Sequence, residues 1–486
     1  MNSPLQTDLY QLTMAAGYWH HGQAGREAVF HLFFRRCPFG GGYAVAAGLG
    51  PALDWLEDFR FTAPDLEYLS TMRTARDTPL FAEGFLDFLA GMRLDLRIEA
   101  LPEGTVVFAQ EPLLRVQGPI LHAQLVETAL LNILNFQTLV ATKAARICDA
   151  AGGAPVIEFG YRRAQGPDGG LSASRAAWLG GCAATSNVEA GRAFGIPVRG
   201  THAHSWVMSF PDEAAAFEAY AEAMPDNCIL LVDTYDSLDG VDHAIATARR
   251  LRARGHELGG VRLDSGDLAW LSQQARQRLD AAGFPEVRIV ASNDLDEHLI
   301  ESLRHQGARI DVWGVGTNLV TAADQPALGG VYKLSAIRGD DGLWIPKAKR
   351  SEQSAKSSIP GRLQVRRYEA GGMFLGDAIF DPDRGIAETP VVVDPTDNRR
   401  RKAIPAGATH TDLLVKVMEH GRRVAPPEPL GTARARRAAQ TAKLHPTIRR
   451  FDHPHTYPAG LESGLAAFRD RLLAETSGHD APPSAP

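Results

Sequence analysis

The sequence predicts an α/β protein in which a parallel-stranded (β/α) domain is joined to a separate α+β domain, and three observations carry that expectation. The middle of the chain repeats one theme: a short apolar strand, a polar or glycine-bearing turn, then an amphipathic helix. Chemistry-bearing side chains gather at the C-terminal ends of those strands. The first 150 residues follow a different, alternating pattern. At 486 residues the chain also exceeds the ~250–300 residues at which single cores stop growing, so at least two hydrophobic cores are expected.

Taken in chain order, residues 102–119 (PEGTVVFAQEPLLRVQGP) alternate like antiparallel strands separated by turn residues, and residues 120–150 read as one long, mostly apolar helical stretch. The N-terminal α+β domain is therefore placed at 1–150. Six strands are expected next: APVIEF (154–159), IPVRGT (196–201), CILLVD (228–233), GGVRLD (259–264), VRIVAS (287–292) and IDVWGV (310–315). Two of the intervening segments, VDHAIATARRLRARG and DLAWLSQQARQRLDAAG, have helical apolar spacing and end at a glycine, as a helix stop requires. Near-continuous apolar strands alternating with such helices give a parallel sheet covered by helices, at 151–340. The remainder, 341–486, is rich in proline and charge; it is expected to pack back on the N-terminal domain and to end in a disordered tail, SGHDAPPSAP.

Composition limits the function classes. Hydrophobic residues make up 44% and charged residues 22%, which is ordinary for a soluble globular protein. The start, MNSPLQTDLYQLTM, lacks the layout of a signal peptide and no apolar run spans a bilayer, so a cytoplasmic address without membrane partners is expected. Cys37, Cys148, Cys182 and Cys228 show no paired spacing, and are read as reduced thiols rather than a disulfide framework or a zinc ribbon. A net charge of −6 argues against nucleic-acid binding. The basic clusters at Arg399–Lys402 and Arg434–Arg437 are read as solvated surface.

The strand ends carry Arg162 and Arg163, His202 and His204, Asp233 and Asp236, Arg262 with Asp264 and Asp267, Asn293 and Asp294, and Gly314 to Thr317. In a parallel barrel all strand C-termini open on one face, where such folds place their chemistry. An open doubly wound sheet collects the same ends in a crevice. Either arrangement makes one convergent site.

Each motif has its own chemistry. EFGYRRAQGPDGG (158–170) offers Phe159 or Tyr161 to stack on a flat ring and Arg162 to fork onto a carboxylate or phosphate. GTHAHSWVMSF (200–210) contains an HxH whose alternation aims His202 and His204 the same way. Such a pair is a metal-ligand pattern, yet the later strand ends add no histidine, which leaves His204 as acid, base or nucleophile beside Ser205. GVRLDSGDL (260–268) sets Arg262 and Asp264 two residues apart, to clamp an anion and to bind ribose hydroxyls or a Mg²⁺-bound pyrophosphate, with Asp267 as a helix N-cap. VWGVGTNLV (312–320) is a glycine turn ending at Thr317, whose amides can cradle a phosphate.

Together with TDLYQLTMA (7–15), DTYDS (233–237), ASNDLDE (291–297), GVGTNLVT (314–321) and GGVYKLS (329–335), these motifs closely resemble the nicotinate phosphoribosyltransferase family. The resemblance is specific in order and spacing from about 155 to 335, clear at the N-terminus and faint beyond 365. It implies an irregular (β/α) barrel of the type II phosphoribosyltransferase kind with an α+β domain, in a homodimer whose sites are completed by the neighbouring N-terminal segment. Carried over by motif, Tyr10 and Phe159 would sandwich the pyridine ring, with Arg162, Thr201, Ser205 and Arg262 handling nicotinate and its carboxylate. Asp233, Asp264 and Asn293 would sit on ribose and Mg²⁺–pyrophosphate, the two aspartates serving Mg²⁺, while Gly314, Gly316 and Thr317 would hold the 5-phosphate. His204 matches the histidine that family members phosphorylate with ATP, their co-substrate.

The nearest rival is nicotinamide phosphoribosyltransferase, which resembles this sequence but sets an aspartate against the carboxamide. Here the matching stretch AAWLGGCAATSNV (176–188) has no acid, and a carboxylate buried opposite that of nicotinate would be strongly unfavourable. A metal-dependent barrel hydrolase and a non-catalytic phosphoribosyl-binding protein are the remaining alternatives; bound-metal analysis and salt-dependent RNA binding without turnover would single them out.

Overall fold

The computed structural model describes residues 3–349 and 358–475, so the expected disordered tail lies outside the described residues. The chain forms two compact units, one from Leu139–Pro326 and the other from Met1–Thr138 with Ala327–Pro486.

In the first unit six strands pair side by side in the order Ala184–Thr185, Val156–Glu158, Val312–Val315, Arg288–Ala291, Gly260–Leu263 and Ile229–Leu231. Every pairing is parallel. Val261, Leu263, Ile289, Ala291 and Val315 are buried in it, which is why these strands read as unbroken apolar runs. The helices end where the residues say they should. Asp236 caps Ser237–Ala253 by accepting from the N–H groups of Leu238 (2.9 Å) and Asp239 (3.0 Å), and Asp267 caps Leu268–Ala281 through the N–H of Trp270 (3.0 Å). Beyond them stand Gly255 and Gly283, both at positive φ.

One expected strand is replaced by something looser. Residues 196–201 form a single parallel bridge, Val198 to Thr185, instead of a strand. Pro197 supplies no N–H, so only its carbonyl and the amide of Arg199 can reach Thr185 (both 3.0 Å). Among the described residues the backbone ladder is therefore not a closed ring. The seam beside Ile229–Leu231 is crossed by a side chain: His202 Nε2 accepts a hydrogen bond from the N–H of Leu231 at 3.2 Å. The irregular barrel is thus joined by an imidazole where a backbone pairing is missing.

The second unit is the α+β part. Its seven-stranded sheet runs Trp344–Pro346, Gly330–Arg338, Glu27–Phe34, Leu114–Pro119, Arg97–Ala100, Val415–Glu419 and Arg422–Arg423. All neighbours are antiparallel, as the alternation in 102–119 predicts for its own strands. Strands from both ends of the chain share this sheet. A second, six-stranded sheet is built wholly from residues 364–462, around a core of Tyr368, Ala378, Val392 and Ile404. The unit boundaries fall at 138/139 and 326/327 rather than at 150 and 340. Two facts explain the shift: helix Glu127–Ala150 continues across the first boundary, and Gly330–Arg338 is recruited by Glu27–Phe34. The expected single helix over 120–150 is two helices, Ile120–Leu125 and Glu127–Ala150.

Candidate active site

A cavity of about 500 Å³ opens at the C-terminal ends of the parallel strands. Nine of the residues assigned from the sequence to nicotinate and phosphoribosyl pyrophosphate line it: Phe159, Arg162, Thr201, Arg262, Asp264, Asn293, Gly314, Gly316 and Thr317; Tyr161, Arg163, His202 and Asp294, also singled out at the strand ends, join them. Their convergence follows from topology, because parallel strands deliver all their ends to one side.

The Phe159 ring lies over the strand that carries Gly314. A Cβ at Gly314 would come within 2.7 Å of two Phe159 ring atoms, so the glycine is what admits the ring. Asn293 holds φ at 137°, a conformation that costs a non-glycine residue roughly 1–3 kcal/mol and recurs at functional sites. Its side-chain oxygen accepts from the N–H of Asp294 at 2.8 Å.

Arg262 is the principal cation of the cavity. Its Nη1 donates to Thr201 Oγ1 at 2.6 Å, and its Nη2 stands 3.7 Å from Asp264 Oδ1. The Nε is buried without a partner. Burial pushes the guanidinium down from its ordinary pKa, and Asp264 and Asp233 oppose that shift. Arginine nevertheless stays charged at neutral pH, so a largely buried cation is left with a spare donor, which suits an anionic ligand.

Acidic residues form the next layer. Asp233 Oδ2 accepts from the backbone N–H of Asp264 (3.0 Å) and from Ser265 Oγ (2.6 Å), while its Oδ1 is buried and unpartnered. Asp264 accepts from Ser292 Oγ, and its Oδ2 faces His204 Nε2 at 3.8 Å. The other ring nitrogen of His204, Nδ1, lies 3.2 Å from Thr234 Oγ1.

The two histidines of the HxH diverge, against the expectation that they point the same way. His204 opens a short helix, His204–Met208, and turns to Asp264, whereas His202, which lines the cavity, directs its Nε2 to the seam. Strand alternation does not apply to a segment that is not a strand. Burial lowers the His202 pKa to about 4, which keeps its Nε2 unprotonated and able to accept. Among the described residues no three ligating side chains converge on a metal-like arrangement.

Of the residues anticipated for this unit's site, Ser205, His204 and Asp233 do not line the cavity: Ser205 is exposed on the short helix, while His204 and Asp233 each contact Asp264, which does line it. Tyr10 stands half-exposed on helix Leu9–His20 of the α+β unit. Ser186 and Ser292 line the cavity and Thr234, inside DTYDS, meets His204, yet none of the three is marked by the sequence motifs as a site residue. Hydroxyls beside charged motif residues give no periodic signal. Their adjacency to the motifs was the only available clue.

Comparison with known proteins agrees with this geometry. Three family models match in succession: the nicotinate phosphoribosyltransferase N-terminal domain over residues 5–135, the nicotinate phosphoribosyltransferase family over 155–369, and the nicotinate phosphoribosyltransferase C-terminal domain over 363–469. A Bacillus subtilis nicotinate phosphoribosyltransferase is 51% identical over 364 residues, covering 75% of this chain and 72% of the relative. A Mycobacterium tuberculosis nicotinate phosphoribosyltransferase is 42% identical, over 97% of this chain and 92% of its own length. The crystal structure of human nicotinic acid phosphoribosyltransferase superposes with a TM-score of 0.83 at 34% identity, covering 96% of this chain and 99% of that one. The chain therefore belongs to the nicotinate phosphoribosyltransferase family.

Proposed function

We propose that this protein forms nicotinate mononucleotide and pyrophosphate from nicotinate and phosphoribosyl pyrophosphate, with ATP hydrolysis coupled through a phosphohistidine at His204, as a cytoplasmic step of NAD salvage. The observation that carries the reading is the largely buried Arg262, fixed by Thr201 and left with an unpartnered Nε, in a cavity that also holds the Phe159 ring. Together they match a flat, aromatic carboxylate. Arg162 adds a second cation on the same rim. From the stretch 176–188, the residue lining the cavity is Ser186, a neutral side chain that imposes no repulsion on a carboxylate and supplies no acid for a carboxamide.

The transfer breaks the bond from ribose C1 to pyrophosphate, which leaves with the electron pair, and the pyridine nitrogen supplies the pair for the new C1–N bond. Positive charge develops at C1, so the step needs positioning and charge stabilisation rather than a protein nucleophile. Phe159 and Arg262 orient the ring, Asp264 and Asn293 face the ribose, and Gly314, Gly316 and Thr317 receive the 5-phosphate. Mg²⁺ suits the site chemically: Asp233 has a buried, unpartnered Oδ1, its Oδ2 accepts from the backbone N–H of Asp264, and Mg²⁺ typically takes one or two carboxylates and completes its shell with water and substrate phosphates. When bound it would neutralise the departing pyrophosphate. His204, with Thr234 at Nδ1 and Asp264 at Nε2, is the phosphoryl acceptor of the coupling step.

A homodimer completes the reading, with Tyr10 of one copy closing the site of its partner. Among the described residues no helix is long and apolar enough to cross a membrane. Product formation with phosphoribosyl pyrophosphate, measured for nicotinate and nicotinamide with and without ATP, tests the proposal directly. Nicotinate should be strongly preferred and stimulated by ATP, and equal use of the two bases would overturn the assignment.

A further inference from the structure

We infer that Glu158 is a positioning residue for ring binding: its buried carboxylate ties two walls of the cavity together and so sets the affinity for nicotinate without touching it. The inference rests on the reading of Phe159 and Arg162 as ring contacts.

Glu158 ends strand Val156–Glu158, is fully buried and does not line the cavity. Its Oε1 accepts from the backbone N–H of Gly160, the residue that opens the 3₁₀ turn Tyr161–Arg163. Its Oε2 accepts from Ser174 Oγ at 2.8 Å, on helix Gly166–Gly180, and from Thr185 Oγ1 at 2.6 Å, on strand Ala184–Thr185. The backbone carbonyl of Glu158 accepts from the N–H of Ser186 at 2.8 Å. One residue thereby fixes both the turn that presents Phe159 and Arg162 and the wall that presents Ser186.

A further layer orders those donors. Asn187 Nδ2 donates to Ser174 Oγ (3.1 Å) and its backbone N–H donates to Thr185 Oγ1 (3.0 Å), so each hydroxyl oxygen is held from behind; the Thr185 proton goes to the carboxylate, and the Ser174 proton is shared between the carboxylate (2.8 Å) and the Gly170 carbonyl (3.0 Å). Such chains polarise one another in the same direction. The charge itself is a burden on the fold. Its partners are neutral hydroxyls and an amide rather than a cation, and an apolar side chain of similar volume would be cheaper to bury. What the carboxylate provides is acceptor capacity for three donors from three elements at once. The turn needs such a tie because it packs tightly. A Cβ at Gly160 would meet Val320 at 2.4 Å, leaving little tolerance for displacement.

Three variants test the role, assayed well below each melting temperature. Glu158→Gln keeps the side-chain length, an acceptor for Gly160 and an amide that can donate to hydroxyl oxygens free to rotate. Glu158→Asp keeps the charge but is too short to reach all three donors, and Glu158→Ala removes every bond. The Michaelis constant for nicotinate should rise about tenfold or more in the Asp and Ala variants and stay within about threefold in Gln, with that for phosphoribosyl pyrophosphate nearly unchanged throughout. Equal rises for both substrates, or lower melting temperatures with both constants unchanged, would reduce Glu158 to a structural residue. A rise confined to phosphoribosyl pyrophosphate would likewise overturn the inference, by assigning the turn to the phosphates. Failure of the underlying reading is separate, since the unmodified protein would then show no nicotinate turnover.

Discussion

Arg262 is held on one side by Thr201 and faces Asp264 on the other, yet its buried Nε has no partner, so the cavity contains a cation whose donors are not used up within the protein. A carboxylate entering a desolvated site gains from such a group, and removing one member of a buried charged pair typically costs ~2–5 kcal/mol. Arg262→Ala should therefore lower kcat/KM for nicotinate by roughly 30-fold to several thousand-fold, at about 1.4 kcal/mol per tenfold, while nicotinamide, which lacks the charge, loses much less. Equal losses for the two bases would show that the arginine serves the phosphates. His204 makes a separate prediction, because the pyridine nitrogen attacks C1 without help from an imidazole. His204→Ala should abolish the acid-labile phosphoprotein formed from labelled ATP and keep a slow, ATP-independent formation of nicotinate mononucleotide. His202→Ala should still be phosphorylated, since its ring nitrogens are committed to Leu231 and to the carbonyl of Ala203. Phosphate found on histidine in the His204 variant and missing from the His202 variant would reverse the two roles.

At the scale of elements, the seam beside Ile229–Leu231 depends on a group that titrates. His202 is held near pKa 4 in the fold, below its ordinary value of 6.5, chiefly by burial. The unfolded chain then takes up the proton first, so the contribution of neutral His202 is complete above about pH 6.5 and is lost as pH falls toward 4. His202→Gln offers an amide oxygen to the Leu231 N–H but does not titrate. Between pH 6.5 and 4.5 the melting temperature of the natural protein should fall more steeply than that of the variant. Parallel curves would show that the seam does not depend on His202 ionisation. The same seam marks where the sequence stops being legible. Strand ends rich in Arg, Asp and Gly announce a convergent face, because parallel pairing leaves them no other place to go, and nine of the residues assigned to the substrates meet there. Pro197 inside an apolar run already argues against a strand, but the compensating bond from a histidine five residues later carries no local sign. The two-residue strand Ala184–Thr185 is too short to show a period. Glu158 looks like a stray acid in an apolar strand until its three donors are seen.

For the whole molecule, early and late segments of the chain meet in one antiparallel sheet, where Glu27–Phe34 pairs with Gly330–Arg338 although the whole parallel unit, Leu139–Pro326, lies between them in sequence, a pairing no local pattern encodes. The N-terminal helix Leu9–His20 buries Gln11, Leu12 and Ala15 and leaves Leu9 and Tyr10 about half exposed, an apolar pair at the surface of the α+β unit. Burial, with Glu127 and Asp8 nearby, raises the Tyr10 pKa, so the ring remains a neutral phenol fit for stacking on a pyridine. In the proposed homodimer Tyr10 of one copy closes the site of its partner. The arrangement predicts complementation. Tyr10→Ala and Arg262→Ala homodimers should each be nearly inactive, because every site lacks one of the two groups. Subunit exchange in an equal mixture yields mixed dimers as half of the population, and in each of these one site of two carries both residues intact. Activity should therefore recover to about a quarter of the natural level, the statistical yield for a twofold assembly with shared sites. Confirmed exchange without recovery would place Tyr10 and Arg262 in service of the same chain's site and remove the reason for the dimer.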